Sequence, residues 1–338
     1  MENLPDEIFY EIFDYLDGYD IYQAFSNLSN RCENLLNDPS FLMKIQISFS
    51  TTLDSRYKHF LDSNKHHIIS LHLSTESIFA DFINFCIIDS SFRRLQSLIC
   101  KPISRLTLFN FLLNLKYSPQ LFALTMHFVY CFDDLGDIYQ MIFGLPVLEY
   151  FKLKIAEAEQ LEINIPIDAN NYFSSTKYLV IDHCCTINQL INLLFYIPKL
   201  SHLSCSCLIE SNNDIKSETV INLNDLTHLT VVIAQINFNE FEEFLLKLCS
   251  RLQILNVKIH SSDKNYLNSD KWEKLISQKI TSLNKFFFSY TDIIHGNFNI
   301  TSHPLLNDFT SSFWINRKWI FKLLAHDDEL TYTIRPSY

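Results

Sequence analysis

Nine short segments with the same spacing of apolar residues recur along most of the chain. Each has the pattern apolar-x-x-apolar-x-apolar, with Thr176 opening one of them, and successive segments begin 24 to 28 residues apart before a last interval of 31. They begin at Ile68, Leu95, Leu121, Leu148, Thr176, Leu200, Leu226, Leu252 and Leu283. Alternation over such short runs is typical of β-strands. A repeat of this kind limits the chain to folds in which similar units stack.

Helical patterns lie between these predicted strands. Segments such as ESIFADFINFC and INQLINLLFYI have apolar residues three or four positions apart, which is the spacing of one helix face. A single strand and helix cannot bury both of their apolar faces, so neighbouring units must cover one another. We therefore predict an α/β solenoid with parallel strands inside and helices outside.

The repeat resembles the leucine-rich repeat family over roughly Ile68 to Phe288. The resemblance implies a curved solenoid of stacked strand–helix units. The family usually places asparagine or cysteine three residues after the third apolar position, and only Cys184 fits that position here. We therefore expect a looser and less regular horseshoe.

The residues between the apolar positions of each strand should point to the concave face of the sheet. These positions hold five lysines, four histidines and one acidic residue, Asp182, although the chain has 38 acidic and 27 basic residues. We hypothesise that this face binds an acidic or phosphorylated segment of a target protein. The alternative is a solvated strand surface without a ligand. The candidate target-binding residues are His72, Lys101, His127, Tyr150, Lys152, Lys154, Tyr178, His202, His228, Lys258 and Lys285.

The first predicted helix, near the start of the chain, has apolar residues on nearly two sides. Ile8, Ile12 and Leu16 lie four apart on one face, and Phe9 and Phe13 widen that stripe. One side can pack inside its own domain, while the other needs a partner. Three short helices also bury little apolar surface against the entropy lost on ordering the chain, so a shared core with a partner is expected.

This stretch resembles an F-box. The residues that carry the resemblance are Leu4, Pro5, Glu7, Ile8, Ile12, Tyr15, Leu16, Asp20, Ile21, Asp38, Pro39, Ser40 and Phe41. The resemblance implies docking onto the small Skp-family adaptor of a cullin-RING ubiquitin ligase. The candidate adaptor-binding residues are Leu4, Pro5, Ile8, Phe9, Ile12, Phe13, Leu16, Ile21 and Leu28. The alternative is a helical cap that shields the first repeat from water.

These patterns predict four segments along the chain. They are an F-box of three helices at 1–48, a linker at 49–66, the repeat solenoid at 67–300 and C-terminal capping strands at 301–338. The last prediction rests on two alternating, aromatic-rich runs around the polar turn AHDDE, which is the pattern of a hairpin.

Composition excludes several classes of function. The chain has only 4 glycines and no glycine-rich phosphate loop. A formal net charge of −11 argues against general nucleic-acid binding. No apolar run approaches the length of a membrane helix. The 9 cysteines without a signal peptide predict free, mostly buried thiols in a reducing compartment, so we expect the cytoplasm or the nucleus.

Catalytic and metal-binding patterns are also weak. Cys184, Cys185, Cys205 and Cys207 lie near His183 and raise the question of a zinc site, but no C-x-x-C pair occurs. Cys205 and Cys100 take core positions of their strands, so we expect structural thiols and no metal or cofactor. No nucleophile–base set can be assembled, and we expect no enzyme. The favoured function is the substrate-receptor subunit of an SCF-type ligase, and the alternative is a leucine-rich-repeat scaffold without ligase attachment.

Overall fold

The chain folds into two compact units in a computed structural model. The first unit comprises Met1–Phe132 and Gln140–Glu157, and the second comprises Asp133–Tyr139 and Ala158–Tyr338. The structure describes residues 4–103, 105–129, 134–156, 161–165, 173–210, 223–248, 251–293, 309–326 and 329–337.

The first unit consists of three short helices followed by alternating strands and helices. Its elements are α1 (Asp6–Phe13), α2 (Gly18–Phe25), α3 (Asn30–Leu36), β1 (Met43–Ile47), α4 (Ser55–Asn64), β2 (Ile68–Leu73), α5 (Glu76–Phe85), β3 (Ser97–Ile103), α6 (Arg105–Leu115), β4 (Ala123–Phe128) and β5 (Tyr150–Ile155). The five strands are parallel and neighbour one another in chain order. The helix α7 (Gly136–Phe143) has residues in both units.

Two elements of the first unit lie where the sequence predicts only the end of a helical module and a linker. Strand β1 alternates buried and exposed residues and pairs in parallel with β2 through Ile45 and Leu71. Helix α4 begins after Asp54, whose carboxylate accepts the backbone N–H of Arg56 at 3.0 Å and of Tyr57 at 2.9 Å. The predicted linker therefore contains a capped helix, and the sheet begins one strand earlier than the repeat pattern indicates.

The start of α2 contacts the first strand. Gly18 is the first residue of this helix. Asp17 caps α2 by accepting the backbone N–H of Tyr19 at 2.8 Å, and its other oxygen accepts the N–H of Gln46 at 2.6 Å. This carboxylate thus joins the helical module to β1.

The second unit continues the strand–helix alternation and ends in a hairpin. Its elements are β6 (Tyr178–Thr186), α8 (Ile187–Phe195), β7 (His202–Ile209), β8 (His228–Ala234), α9 (Phe238–Leu248), β9 (Ile254–His260), α10 (Ser269–Gln278), β10 (Lys285–Ile293), α11 (Ser312–Asn316), β11 (Trp319–His326) and β12 (Glu329–Pro336). Strands β6 to β10 are parallel neighbours in chain order. Strand β12 is antiparallel to β10, and β11 is antiparallel to β12.

Each of the nine predicted strand segments contains a strand, from β2 to β10. The apolar positions of the pattern are buried, and the intervening positions are half-buried or exposed, as in β8, where Leu229, Val231 and Ile233 alternate with less buried neighbours. Cys100 and Cys205 are fully buried, as their core positions predict. The mixed α/β class with a largely parallel sheet therefore agrees with the sequence.

Aromatic packing fixes the end of the second unit. Trp272 of α10 is fully buried and donates its indole N–H to the carbonyl oxygen of Tyr266 at 2.8 Å. Its ring centroid lies 5.0 Å from that of Phe286 on β10, which lies 5.6 Å from that of Trp319 on β11. Such aromatic pairs add to the stabilisation gained from burial, so the hairpin is anchored on the core of the last repeat.

Replacing Gly18 by alanine tests the contact between α2 and β1. A Cβ at Gly18 would lie 2.7 Å from Ile45 Cδ1 and 2.8 Å from Met43 Cβ, and overpacking of this kind costs about 1–3 kcal/mol. We expect Gly18→Ala to lower the free energy of unfolding by that amount in urea denaturation. In the control Gly144→Ala, the new Cβ would lie 3.4 Å from its nearest neighbour, and the change should stay within about 0.5 kcal/mol. Equal stabilities for the two variants would contradict the tight contact.

Candidate docking surfaces

Helix α1 directs one apolar stripe into the helical module. Phe9 and Phe13 are 2% and 5% exposed. The ring of Phe13 packs edge-on against Phe25 and Phe41, with centroid distances of 5.0 Å and 5.5 Å. This aromatic cluster is the core of the three-helix module.

A second apolar stripe remains uncovered on the same segment. Leu4, Ile8, Ile12 and Leu16 are between 36% and 40% exposed, and we call these four residues the outer stripe. Leu28, in the turn before α3, is 54% exposed. Side chains four apart lie one above another on a helix, so Ile8 and Ile12 form one apolar surface on α1, with Leu4 before the helix and Leu16 after it.

Burial removes three residues from the predicted adaptor-binding set. Phe9, Phe13 and Ile21 are at most 5% exposed, so assigning them to the docking surface was wrong. They pack inside their own module and can support a docking surface only by holding α1 and α2 in place. Pro5 is exposed beside the outer stripe.

Arg31 of α3 fixes the start of α1. Its guanidinium donates hydrogen bonds to the Asp6 carboxylate and to the carbonyl oxygen of Leu4, and it lies 5.2 Å from the ring centroid of Phe9. A bidentate, stacked arginine holds its partners in a defined geometry. The outer stripe therefore rests on a supported helix.

The module is covered from another side by β1 and α4. The ring of Tyr19 lies 4.2 Å from that of Tyr57, and the ring of Tyr22 lies 5.0 Å from that of Phe60, between centroids. One side of α2 is thus covered by the first unit itself and needs no foreign partner. The outer stripe is the part that stays exposed.

The other candidate surface is the face of the sheet that carries the predicted target-binding residues. We call it the open face of each unit. In the first unit it holds His72, Lys101, His127, Tyr150, Lys152 and Lys154, none of them buried. The register places His127 beside Lys154 and Thr125 beside Lys152. Burial, followed by the nearby Lys101 charge, lowers the pKa of His72.

The open face of the second unit carries a stacked row of rings. Tyr178 stacks on His202 at 4.3 Å, and His202 stacks on His228 at 3.9 Å, between centroids. Burial and the neighbouring His228 lower the pKa of His202. The rings occupy the same position in three successive repeats, and the parallel register brings them into contact. Lys258 and Lys285, the two predicted lysines of this unit, are exposed.

The cysteines near His183 form two pairs across β6 and β7. Cys184 and Cys207 form a disulfide, so the expectation of free thiols is wrong for these two residues. Cys185 and Cys205 are buried with their sulfur atoms 3.6 Å apart. The free and buried cysteines of the described chain are Cys32, Cys86, Cys100, Cys185 and Cys205. Within the described ranges, no group of three or more His, Cys, Asp or Glu residues could hold a metal ion.

His183 has a structural environment. It is 3% exposed, and its Nε2 lies 2.7 Å from the hydroxyl oxygen of Tyr139. Its Nδ1 lies 2.9 Å from the carbonyl oxygen of Cys184. Because a carbonyl only accepts, Nδ1 carries the proton and Nε2 accepts from the tyrosine. Burial lowers the pKa of His183 to about 4, so the ring is neutral at pH 7.

Comparison with known families identifies the first segment. The F-box domain matches residues 1–44, so the exposed outer stripe belongs to an F-box. The match covers 44 of the 338 residues and leaves the strand–helix repeats without a family. No curated protein matches the chain. Of the helices in the described ranges, none is long and apolar enough to cross a membrane.

The buried His183 should make stability depend on pH. Its pKa is about 4 when folded and about 6.5 when unfolded, so the unfolded state binds the extra proton as pH falls. The free energy of unfolding should fall by about 3 kcal/mol between pH 7 and pH 4 from this group, with no contribution above pH 7. Urea denaturation of the parent and of His183→Gln measures it. The variant should show a shallower pH dependence, and parallel curves would contradict the assignment.

Proposed function

We propose that the chain is the substrate-receptor subunit of an SCF-type cullin-RING ubiquitin ligase. Its F-box would dock the Skp-family adaptor, and its repeats would bind a target protein. The observation that carries the proposal is the outer stripe, which stays exposed on an F-box whose phenylalanine stripe is buried. A contiguous apolar surface of this kind on a folded module is a typical protein-interaction site.

The outer stripe suits a protein interface in geometry as well as in chemistry. Ile8 and Ile12 lie at its centre, and the charged residues Glu7 and Glu11 lie on the same helix and are exposed. An apolar centre surrounded by polar residues is the usual anatomy of an interface, and a few central side chains carry most of its binding energy. We therefore assign the main adaptor contacts to Ile8 and Ile12, with Leu4, Leu16 and Leu28 around them.

Target binding is assigned to the open faces of a leucine-rich-repeat-like solenoid. The parallel strands at 24- to 28-residue steps support such a solenoid. The lysines and histidines of the open faces favour an acidic or phosphorylated segment. The ligase would then transfer ubiquitin through other subunits, and this chain would raise the effective concentration of its target near them. The chain itself would perform no catalysis.

The cellular location belongs to the same proposal. A ligase subunit of this kind would act in the cytoplasm or the nucleus. Five free, buried cysteines among the described residues support a reducing compartment. The disulfide between Cys184 and Cys207 is the one described feature that is more typical of an oxidising compartment.

A second candidate is a repeat-based interaction scaffold without ligase attachment. The packing of α2 on β1, with Gly18 against Ile45 and Met43, suits a helical cap on the first strands. A cap needs no exposed apolar stripe, so the outer stripe favours the ligase subunit.

Truncating the centre of the outer stripe should abolish adaptor binding. We expect Ile8→Ala combined with Ile12→Ala to weaken binding of the purified Skp-family adaptor at least 100-fold, because central apolar anchors of an interface typically cost more than 2 kcal/mol each when truncated. Isothermal titration calorimetry measures the affinity. Glu11→Ala on the same helix is the matched control and should bind within about threefold of the parent, a difference below 1 kcal/mol. Failure of the parent chain to bind would favour the scaffold.

Charge reversal on the open face of the first unit tests target binding. Lys152→Glu combined with Lys154→Glu should abolish capture of the true target, because repulsion replaces attraction toward an acidic segment. Quantitative mass spectrometry of proteins captured by the parent and the variant measures the loss. The control pair Lys116→Glu and Lys199→Glu changes the net charge equally at exposed sites outside the strands. Unchanged capture by the Lys152 and Lys154 variant would remove these residues from the site.

A further inference from the structure

A cleft of about 730 Å³ lies on the sheet of the second unit where the hairpin joins the last repeats. Strands β9, β10, β12 and β11 supply its lining. This volume is within the range of ligand sites in proteins. None of the five target-binding candidates of this unit lines it, although Lys258 and Lys285 belong to the same face.

The strand register aligns several residues in and beside the cleft in two rows. In the first row, Asn256 pairs with Phe287, and Arg335 pairs with Ile320. In the second row, Lys258 pairs with Ser289, Ser289 with Thr333, and Thr333 with Lys322. Because side chains alternate between faces along a strand, both rows lie on the open face.

The cleft has an apolar centre that the protein leaves uncovered. Ile320 and Leu324 on β11 are 45% and 55% exposed, and Phe287 is half-buried. Within the described residues, β11 is also the outer strand of the sheet. An exposed edge with apolar side chains is prone to bind another chain, so this surface is suited to a partner.

Four cations lie among and beside these apolar residues, with Lys322 between Ile320 and Leu324 on β11 and Arg335 paired with Ile320. Lys258, Lys285, Lys322 and Arg335 are all exposed, and within the described part of the chain none of them forms an ion pair. The acidic residue Glu329 lies on the same face of β12, four residues from Thr333, which is about 14 Å along a strand. In a chain of net charge −11, this local excess of cations favours an anionic partner.

The spacing of the cations sets the length of that partner. Lys258 and Lys322 end one row that crosses four strands, so their Cα atoms are separated by three inter-strand distances, or about 14 Å. An extended chain advances about 3.3 Å per residue, so about four residues span the row. An extended protein segment of this length can reach both ends.

We propose that this cleft binds an extended segment of the target protein in which a bulky apolar residue lies between two acidic residues about four positions apart. The apolar side chain packs against Phe287 and Ile320, which lie on the strands on either side of β12. The two carboxylates meet Lys258 at one end and Lys322 with Arg335 at the other. The inference deepens the proposed function and rests on it, since it identifies part of the open face as the recognition site for the target.

Selection of peptides on the full chain tests the proposal. A phage-displayed library of random nine-residue peptides is enriched on the purified protein, and the recovered peptides are synthesised and titrated by fluorescence anisotropy. We expect enrichment of an apolar residue flanked by Asp or Glu at the stated spacing. Lys322→Glu combined with Arg335→Glu should weaken binding at least 30-fold, and Ile320→Ser combined with Leu324→Ser at least 10-fold.

A matched control and a second variant make the result decisive. Lys274→Glu combined with Lys279→Glu makes the same change in charge at exposed positions near the end of α10, and it should leave the affinity within about threefold of the parent, less than 1 kcal/mol. If the Lys322 and Arg335 variant fails to fold by circular dichroism, Lys258→Glu combined with Lys285→Glu replaces it and should cause a comparable loss. Peptides without acidic residues, or affinities unchanged in the cleft variants, would overturn the proposal.

Further measurements distinguish a failure of the cleft proposal from a failure of the ligase proposal. Tighter binding of phosphorylated peptides or of an RNA oligonucleotide would overturn the assignment to carboxylates. Peptides lost with Lys152→Glu and Lys154→Glu but retained by the cleft variants would place recognition elsewhere and leave the ligase proposal standing. If the parent chain does not bind the adaptor but does bind peptides at the cleft, the ligase proposal is overturned and the inference about the cleft stands.

Discussion

The division of α1 into two apolar stripes is the constraint on which the account depends. Successive residues of a helix are rotated by about 100°, so Ile8 and Phe9 cannot face the same core. The phenylalanine stripe packs against Phe25 and Phe41 and fixes the helix in its module. The outer stripe is then directed away from that core, and no rearrangement of α1 alone can bury both.

The helical module that carries the outer stripe is attached to the sheet. Asp17 bonds both α2 and β1, and the lack of a side chain at Gly18 allows the two elements to touch. The outer stripe and the first strands therefore belong to one compact unit. In the proposed ligase subunit, this link would set the distance between the adaptor and the first strands, and that distance determines the effective concentration of a bound target.

The sequence predicts the repeated elements well and the choice between faces poorly. The nine strands follow from alternation at a regular step, and the outward positions follow from the same alternation. Periodicity predicts two apolar stripes on α1 but not which of them faces inward, so Phe9 and Phe13 were placed on the wrong side. Ile21 of α2 is buried as well. The disulfide of Cys184 and Cys207 was missed because it forms where the register of β6 and β7 is irregular. Strand β1 has the same apolar spacing at Leu42, Ile45 and Ile47, 26 residues before Ile68, and it was missed because this stretch was assigned to the end of the helical module. The linker helix α4 lacks the pattern.

Hydrogen–deuterium exchange with and without the Skp-family adaptor tests the central claim most directly. If the outer stripe is the docking surface, adaptor binding should slow amide exchange in residues 4–16 and in the turn around Leu28, while β6 to β12 stay unchanged. Exchange slows when local opening becomes more costly. Unchanged exchange in residues 4–16 at saturating adaptor, or protection confined to the strands, would contradict the account.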